Sequence, residues 1–498
     1  MAKLIPFLVL IGLSLLSAAA PPPLQVEWQP AQGYQLLEVT GGLVQHRFSQ
    51  LGGTLDRAYV HFAGLRAQTL ETVPGWISEG RQWALTAGVS LPFEVWVGQA
   101  QSDSYVYSME FFRADPTSGR VVISGTPGGV RVSKEFELDA AALYTVPVRV
   151  TMAGPGERVR LVLGHRPLGE GAPRLLFLYD GRAYDAPLDV GSYSQFQGLG
   201  LVGKQVVFFL RLDQGGGARP FLGQNASGQP VFGLEWEALA GEVTLEGVLY
   251  AGRNRYLLLE KAGLEALVDL GLFSHFLVMV MRFFEWLYHL TGNYGWAIIL
   301  FTLITRVVLY PLMRNQLRSM AKMQQLAPKI NKLQERYKDD RETLQKQMME
   351  LYRAEGVNPL GGCLPLILQM PLLILLWQAI MYSAEQIHLS PGFLWLSDLS
   401  QPDPYFILVI LTTGLMLLQQ WLTQRKVPEA PTGGGQALGW LFPVIMAVFF
   451  MSFPAGLWLY WLLTTVFQMG QQMIINWELA RERARAPTPP AGNGSKAS

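Results

Sequence analysis

The chain has 498 residues, half of them hydrophobic and only 15% charged, with a formal net charge of +1. That length allows two or three domains, and so little charge is unusual for a water-soluble protein of this size. A near-neutral chain argues against a nucleic-acid substrate, since a binder would show a basic excess or stripe. Its one cysteine, Cys363, excludes an intrachain disulfide and reads as a small helix-packing residue. The six histidines show no HExxH or other metal-ligand spacing, and there is no GxSxG and no P-loop. Neither a cofactor nor an enzymatic activity is expected.

In chain order, Lys3 precedes an apolar run from Leu4 to Ala20 that ends in Ser17-Ala18-Ala19-Ala20 and is followed by Pro21-Pro22-Pro23. Residues 1–23 read as an export signal, short for a span, which needs about 20 residues. Cleavage at the small residues and retention as an anchor both fit. Residues 24–263 alternate with period 2, as in Val132-Ser133-Lys134-Glu135-Phe136-Glu137-Leu138, with Gly and Pro between the runs. This predicts an extracytoplasmic all-β sandwich of antiparallel sheets, a scaffold or docking domain more readily than a sugar binder. Residues 270–291 predict an amphipathic helix, broken by Arg282, Glu285 and His289, with Trp286 and Tyr288 near its end. Such a pattern suits a helix lying in the membrane interface. A core helix of the exported domain is the alternative.

After Asn293 the pattern predicts a membrane α-helical bundle of five core transmembrane helices: Tyr294 to Met313, then four more within 360–476, at Leu360 to Tyr382, Tyr405 to Leu422, Leu438 to Phe453 and Leu457 to Ile475. The segment 314–357 holds ten basic residues from Arg314 to Arg353, whereas Ser383 to Pro404 holds none. Arg425 and Lys426 follow the third span, and Arg481, Arg483 and Arg485 the last. By the positive-inside rule these basic segments are cytoplasmic, which puts the strand region outside. Within 314–357, Leu326, Ile330, Leu333 and Tyr337, then Leu344, Met348, Leu351 and Tyr352, recur at helical spacing around Lys338-Asp339-Asp340. The prediction is a cytoplasmic helical hairpin, rich in adaptable methionine, or else a solvated connector touching anionic lipid. The tail, residues 477–498, is cytoplasmic, and beyond Arg485 it is Pro/Gly/Ser-rich and expected to be disordered.

Arg306 falls about eight residues, or roughly 12 Å, inside the first predicted span. An arginine at such depth costs at least about 2.5 kcal/mol on insertion scales and normally faces protein or a wet cavity. Thr302 shares its helix face, and Gln369, Gln420 and Gln468 are polar residues of other predicted spans. Together they suggest a polar hollow; snorkelling of Arg306 with ordinary interhelical hydrogen bonds is the structural alternative.

These residues sit in recognisable runs. Asn358-Pro359-Leu360-Gly361-Gly362-Cys363-Leu364-Pro365 with Gln369-Met370-Pro371 resembles the third transmembrane segment of the bacterial YidC membrane protein insertases. Thr302-Leu303-Ile304-Thr305-Arg306 with Tyr310-Pro311, Ser319 to Met323, and Phe453-Pro454-Ala455-Gly456-Leu457 leading to Tyr460 are similar to other parts of that family. The resemblance covers residues 270 to 476, and the large outer β-domain is similar, in position and strand character, to that of the Gram-negative form. It implies an insertase and chaperone for newly made proteins of the bacterial inner membrane, multi-pass and using no nucleotide. It acts alone or beside the Sec translocon, with ribosomes and membrane lipids as further partners; a monomer is expected to suffice. The resemblance further implies a hydrophilic groove lined by Arg306, Thr302, Gln369 and Gln420, with Tyr460 and Trp461 as the substrate-contacting aromatic pair; Trp461 stands where some members have Tyr. A secondary transporter of an anionic solute is the competing function, although no internal repeat of the kind transporters show is present.

Overall fold

In the computed structural model the chain is described over residues 22–485, except 62–68, 74–76, 79–80, 83–89, 99, 102–103, 167–171, 186–195, 269–273, 339, 356–363 and 425–434. The export signal up to residue 21, the Asn358 to Cys363 run, the Arg425-Lys426 pair and the tail from 486 lie outside the described residues. Two compact units emerge. One is Ala19–His275 together with Tyr382–Leu389; the other holds Phe276–Met381 and Ser390–Ser498.

The first unit is a β-sandwich. Its alternating sequence gives strands such as Arg131–Asp139, in which Val132, Lys134, Phe136 and Leu138 point into the interior and their neighbours do not. Nine antiparallel strands form one sheet in the order Ser108–Arg113, Ser118–Gly125, Arg131–Asp139, Thr145–Pro155, Ala240–Arg253, Val206–Gln214, Phe196–Val202, Arg174–Tyr179, Arg182–Tyr184. A five-stranded meander runs from Gln25–Pro30 to Thr69–Val73, and a second five-stranded sheet joins Arg219–Gln224, Pro230–Trp236, Val159–His165, Glu94–Val97 and Ala100–Gln101. One core cluster takes Ile123, Phe136 and Val150 from the large sheet, Leu37 and Phe48 from the meander, and Val95, Leu161 and Phe232 from the third sheet, the face-to-face packing of a sandwich. After the strand Ala240–Arg253 the chain turns into a short helix α1 (Tyr256–Lys261), whose Leu258 and Leu259 fill a second buried cluster.

The second unit is helical: α2 (Ser274–Thr291), α3 (Tyr294–Val308), α4 (Tyr310–Arg336), α5 (Arg341–Ala354), α6 (Leu364–Tyr382), α8 (Ile407–Gln424), α9 (Gly435–Phe450) and α10 (Ala455–Arg485). The six-residue α7 (Ala384–Leu389), between α6 and α8 in sequence, belongs to the β unit. Gly292, at φ +66, ends α2 by donating from its N–H to Tyr288 O at 2.7 Å, a left-handed cap that glycine adopts without a Cβ clash. The next residue, Asn293, starts α3 by accepting from Gly295 N–H at 2.8 Å. Asp340 does the same for α5, taking the Thr343 N–H at 3.0 Å.

The five predicted spans are not met as drawn, because among the described residues no helix is long and apolar enough to cross a membrane. The first ends at Val308, and Pro311 lies in the opening turn of α4, where its missing N–H is tolerated. Fifteen residues reach only about 22 Å, and the sixteen of α9 about 24 Å. The 31-residue α10 is long enough, but Tyr460, Trp461, Thr464, Thr465 and Gln468 interrupt its apolar half.

Candidate functional site

A single loop sets the starts of three helices of the helical unit. Asn293 donates its side-chain N–H groups to Pro391 O at 3.1 Å and Gly392 O at 3.0 Å, tying α3 to the loop. Asp403, fully buried, accepts from Leu408 N–H at 2.7 Å and from the Trp395 indole at 3.1 Å, fixing the start of α8. The backbone N–H groups of Ala455 and Gly456 donate to Gln401 O at 2.7 Å and Leu399 O at 2.9 Å, so the Pro454-Ala455-Gly456 turn into α10 is pinned to the same loop. Three helices started from one loop hold their residues in a common register.

Within that frame Arg306 of α3 and Tyr460 of α10 both meet Gln369, which α6 supplies. Arg306 Nη2 donates to Gln369 Oε1 at 2.9 Å, and Gln369 Nε2 donates to Tyr460 Oη. Arg306 is 7% exposed and Tyr460 1%. A buried guanidinium normally demands a carboxylate, because an unpaired charge is costly in a low dielectric. Here, among the described residues, no carboxylate lies within ion-pair distance of Arg306. Its side-chain partner there is the neutral amide of Gln369, so its full positive charge is oriented but not neutralised. No group of residues able to hold a metal occurs among the described residues.

The other sequence-predicted residues are placed differently. Thr302 is fully buried on the Arg306 helix, but its hydroxyl donates to Ile298 O at 2.7 Å within its own turn. Gln420 and Gln468 are half-buried and make no hydrogen bond to Arg306 among the described residues. Trp461, next to Tyr460 but about 100° round the helix, stacks on Trp458 with ring centroids 5.5 Å apart and meets Phe450 edge-on at 6.1 Å. Two features went unread in the sequence. Tyr460 serves as a polar partner through its hydroxyl, which a count of hydrophobic residues hides. Arg314 of α4 pairs with Glu478 of α10 at 2.8 Å; the first carboxylate after a long uncharged stretch of α10 is the available signal.

The helical region matches a known family. Residues 286–482 match the family described as 60Kd inner membrane protein, a stretch that holds Arg306, Gln369 and Tyr460. A protein of Wolinella succinogenes named membrane protein insertase YidC is 39% identical over 292 residues, 57% of this chain and 52% of that one. One of the same name from Helicobacter pylori is 41% identical over 253 residues, 50% of this chain and 45% of its own. The chain thus spans about half the length of the curated relatives it matches. A crystal structure described as an active YidC insertase with its first transmembrane domain resolved aligns with a TM-score of 0.51 at 22% identity, covering 94% of this chain and 97% of that one, a likeness of fold. Residues 286–482 thus carry the 60Kd inner membrane protein domain, and the chain is similar to bacterial proteins named YidC insertase, the family that its motifs resemble.

Proposed function

We propose that the chain is a membrane protein insertase of the bacterial inner membrane, with the β unit periplasmic, the α4–α5 hairpin and the C-terminus cytoplasmic, and the helical unit spanning the bilayer. The bilayer reading is supported by large apolar side chains left open on the helical unit, such as Val308 at 67%, Ile410 at 66% and Phe449 at 76% exposure, which in water would be an aggregation hazard. Leu309 keeps a helical backbone (φ −86°, ψ −3°) between α3 and α4, so the chain continues in a helical sense past Val308. Where the apolar lengths still fall short, a locally thinned bilayer meets them.

The observation that carries the reading is the un-neutralised Arg306. Its charge lowers the energy of a polar or acidic segment brought partway into the membrane, and in a low dielectric that attraction is large. The apolar segment of the same nascent protein then leaves into lipid, and its removal from water drives the step. No bond is made or broken. Nascent membrane proteins are the substrates, with the Sec translocon and the ribosome as partners in delivery and the chain acting as a monomer. Arg306→Ala is expected to reduce insertion of a small single-span substrate into reconstituted vesicles by about tenfold or more, the equivalent of roughly 1.4 kcal/mol, while the purified protein keeps its helical circular dichroism. Undiminished insertion would remove the basis of the proposal.

A further inference from the structure

The short helix α7 connects two helices of the helical unit, α6 and α8, yet it is a structural part of the β unit. Its Glu385 is fully buried. Arg253, the last residue of the strand Ala240–Arg253, places Nη1 2.8 Å from Glu385 Oε1, and Nε of Arg255, which precedes α1, lies 3.9 Å from the same oxygen. Both arginines are themselves held. Tyr250 Oη donates to Arg253 O at 2.6 Å, Tyr250 meets Tyr144 edge-on at 6.0 Å, and the Arg255 guanidinium sits over the Tyr382 ring at 5.3 Å. Around this group Ala384 and Ile387 are buried, and Leu389 packs on the cluster that contains Phe209, Tyr250 and Leu259.

Apolar contact alone would hold such a segment but would not fix its register, since Ala, Ile and Leu side chains tolerate sliding and repacking. A buried ion pair contributes little net stability compared with an apolar replacement, but losing one partner strands the other charge. One carboxylate between two arginines therefore specifies a single docked position. The segment that follows α7 in sequence is the loop that starts α3, α8 and α10.

We infer that Glu385 is a positioning residue: an ionic latch that fastens the α6–α8 connection to the β unit through Arg253 and Arg255. This gives the β unit a task, the anchoring of a connection between helices, that needs neither ligand nor catalysis. The latch stands on the geometry of the β unit alone; only its consequence for insertion rests on the insertase reading.

Hydrogen exchange on the full chain in lipid nanodiscs tests it. In Glu385→Gln, exchange in peptides covering 383–389 is expected to rise roughly tenfold or more, with the strands 145–155 and 240–253 keeping wild-type protection. Arg253→Lys, which retains the charge, is expected to stay near wild type. Unchanged protection of 383–389 in Glu385→Gln overturns the latch. An equal rise throughout the strands overturns it as well, because Glu385 would then be a stability residue of the whole sandwich. Both readouts are obtained whether or not the protein inserts substrates. A loss of insertion in Arg306→Ala alone leaves the latch untouched.

Discussion

In the β unit, Lys134 is fully buried, yet its ammonium donates to Gly53 O at 2.7 Å and Phe93 O at 2.6 Å, lies 4.4 Å from the centre of the Tyr107 ring and feels the nearby Glu94 carboxylate. Glu385 of the same unit lies against two arginines. In the helical unit, Arg306 is nearly as deeply buried, and the partner it meets is a neutral glutamine, itself bonded to a tyrosine hydroxyl. The apolar residues differ in the same sense. Phe136 and Phe232 of the sandwich are fully covered, whereas Val307 and Phe449 of the helices are open. One unit covers its apolar side chains and surrounds its buried ionisable groups with carbonyl, aromatic or oppositely charged partners. The other turns apolar side chains outward and bonds its buried guanidinium to a neutral amide.

The contrast can be broken at several points. The largest effect should come from Phe136, which meets Phe93 edge-on at 4.9 Å and Phe48 at 5.0 Å. Phe136→Ala is expected to destabilise the sandwich by about 3–5 kcal/mol, seen as denaturant-induced loss of strand signal at lower concentration. If the β unit tolerates the change, its order does not come from a water-built core.

Next in size is a pH effect. Burial pushes the Lys134 ammonium down to about 7 from its ordinary 10.5. Between those values the unfolded chain binds the proton and the folded one does not, so stability rises with pH across that window. From pH 7 to pH 9 the wild type is expected to gain stability relative to Lys134→Met, at a slope approaching about 1.4 kcal/mol per pH unit. Parallel profiles for the two proteins would mean that Lys134 is not held against its charge.

The smallest effect belongs to the surface of the sandwich. Arg149 and Glu246 pair at 2.8 Å across neighbouring strands but are 55% and 36% exposed. A double-mutant cycle to alanine should yield a coupling below about 1 kcal/mol. A larger coupling would show that exposed charges too are structural in this unit.

Much of this was legible in the chain. Strand alternation at Val132 to Leu138 gave the sandwich, because a half-buried strand writes its two faces directly into the sequence. The depth of Arg306 is readable from its distance to Arg314, and Gln369 stands out as a polar residue in an apolar run. The same polarity marks Gln420 and Gln468, which make no hydrogen bond to Arg306 among the described residues, since polarity says nothing about which way a helix is turned. The motif around Phe453 to Leu457 points to Tyr460, but its role as a hydrogen-bond partner depends on which way α10 is turned towards Gln369 of α6. The capture of Glu385 by Arg253 links residues more than 130 positions apart, and local periodicity carries no trace of it. Span boundaries failed at Val308 because a proline in the next turn restarts the helix without changing the hydropathy.

The central claim is that polar segments of a nascent membrane protein are received beside Arg306, and it is tested most directly by site-specific photo-crosslinking to a stalled single-span substrate. Probes at Thr302 and Tyr460 are expected to capture the chain, and a probe at Val308, on the open apolar surface, to capture it far less. Capture from Val308 alone, with none from Thr302 or Tyr460, would contradict the claim.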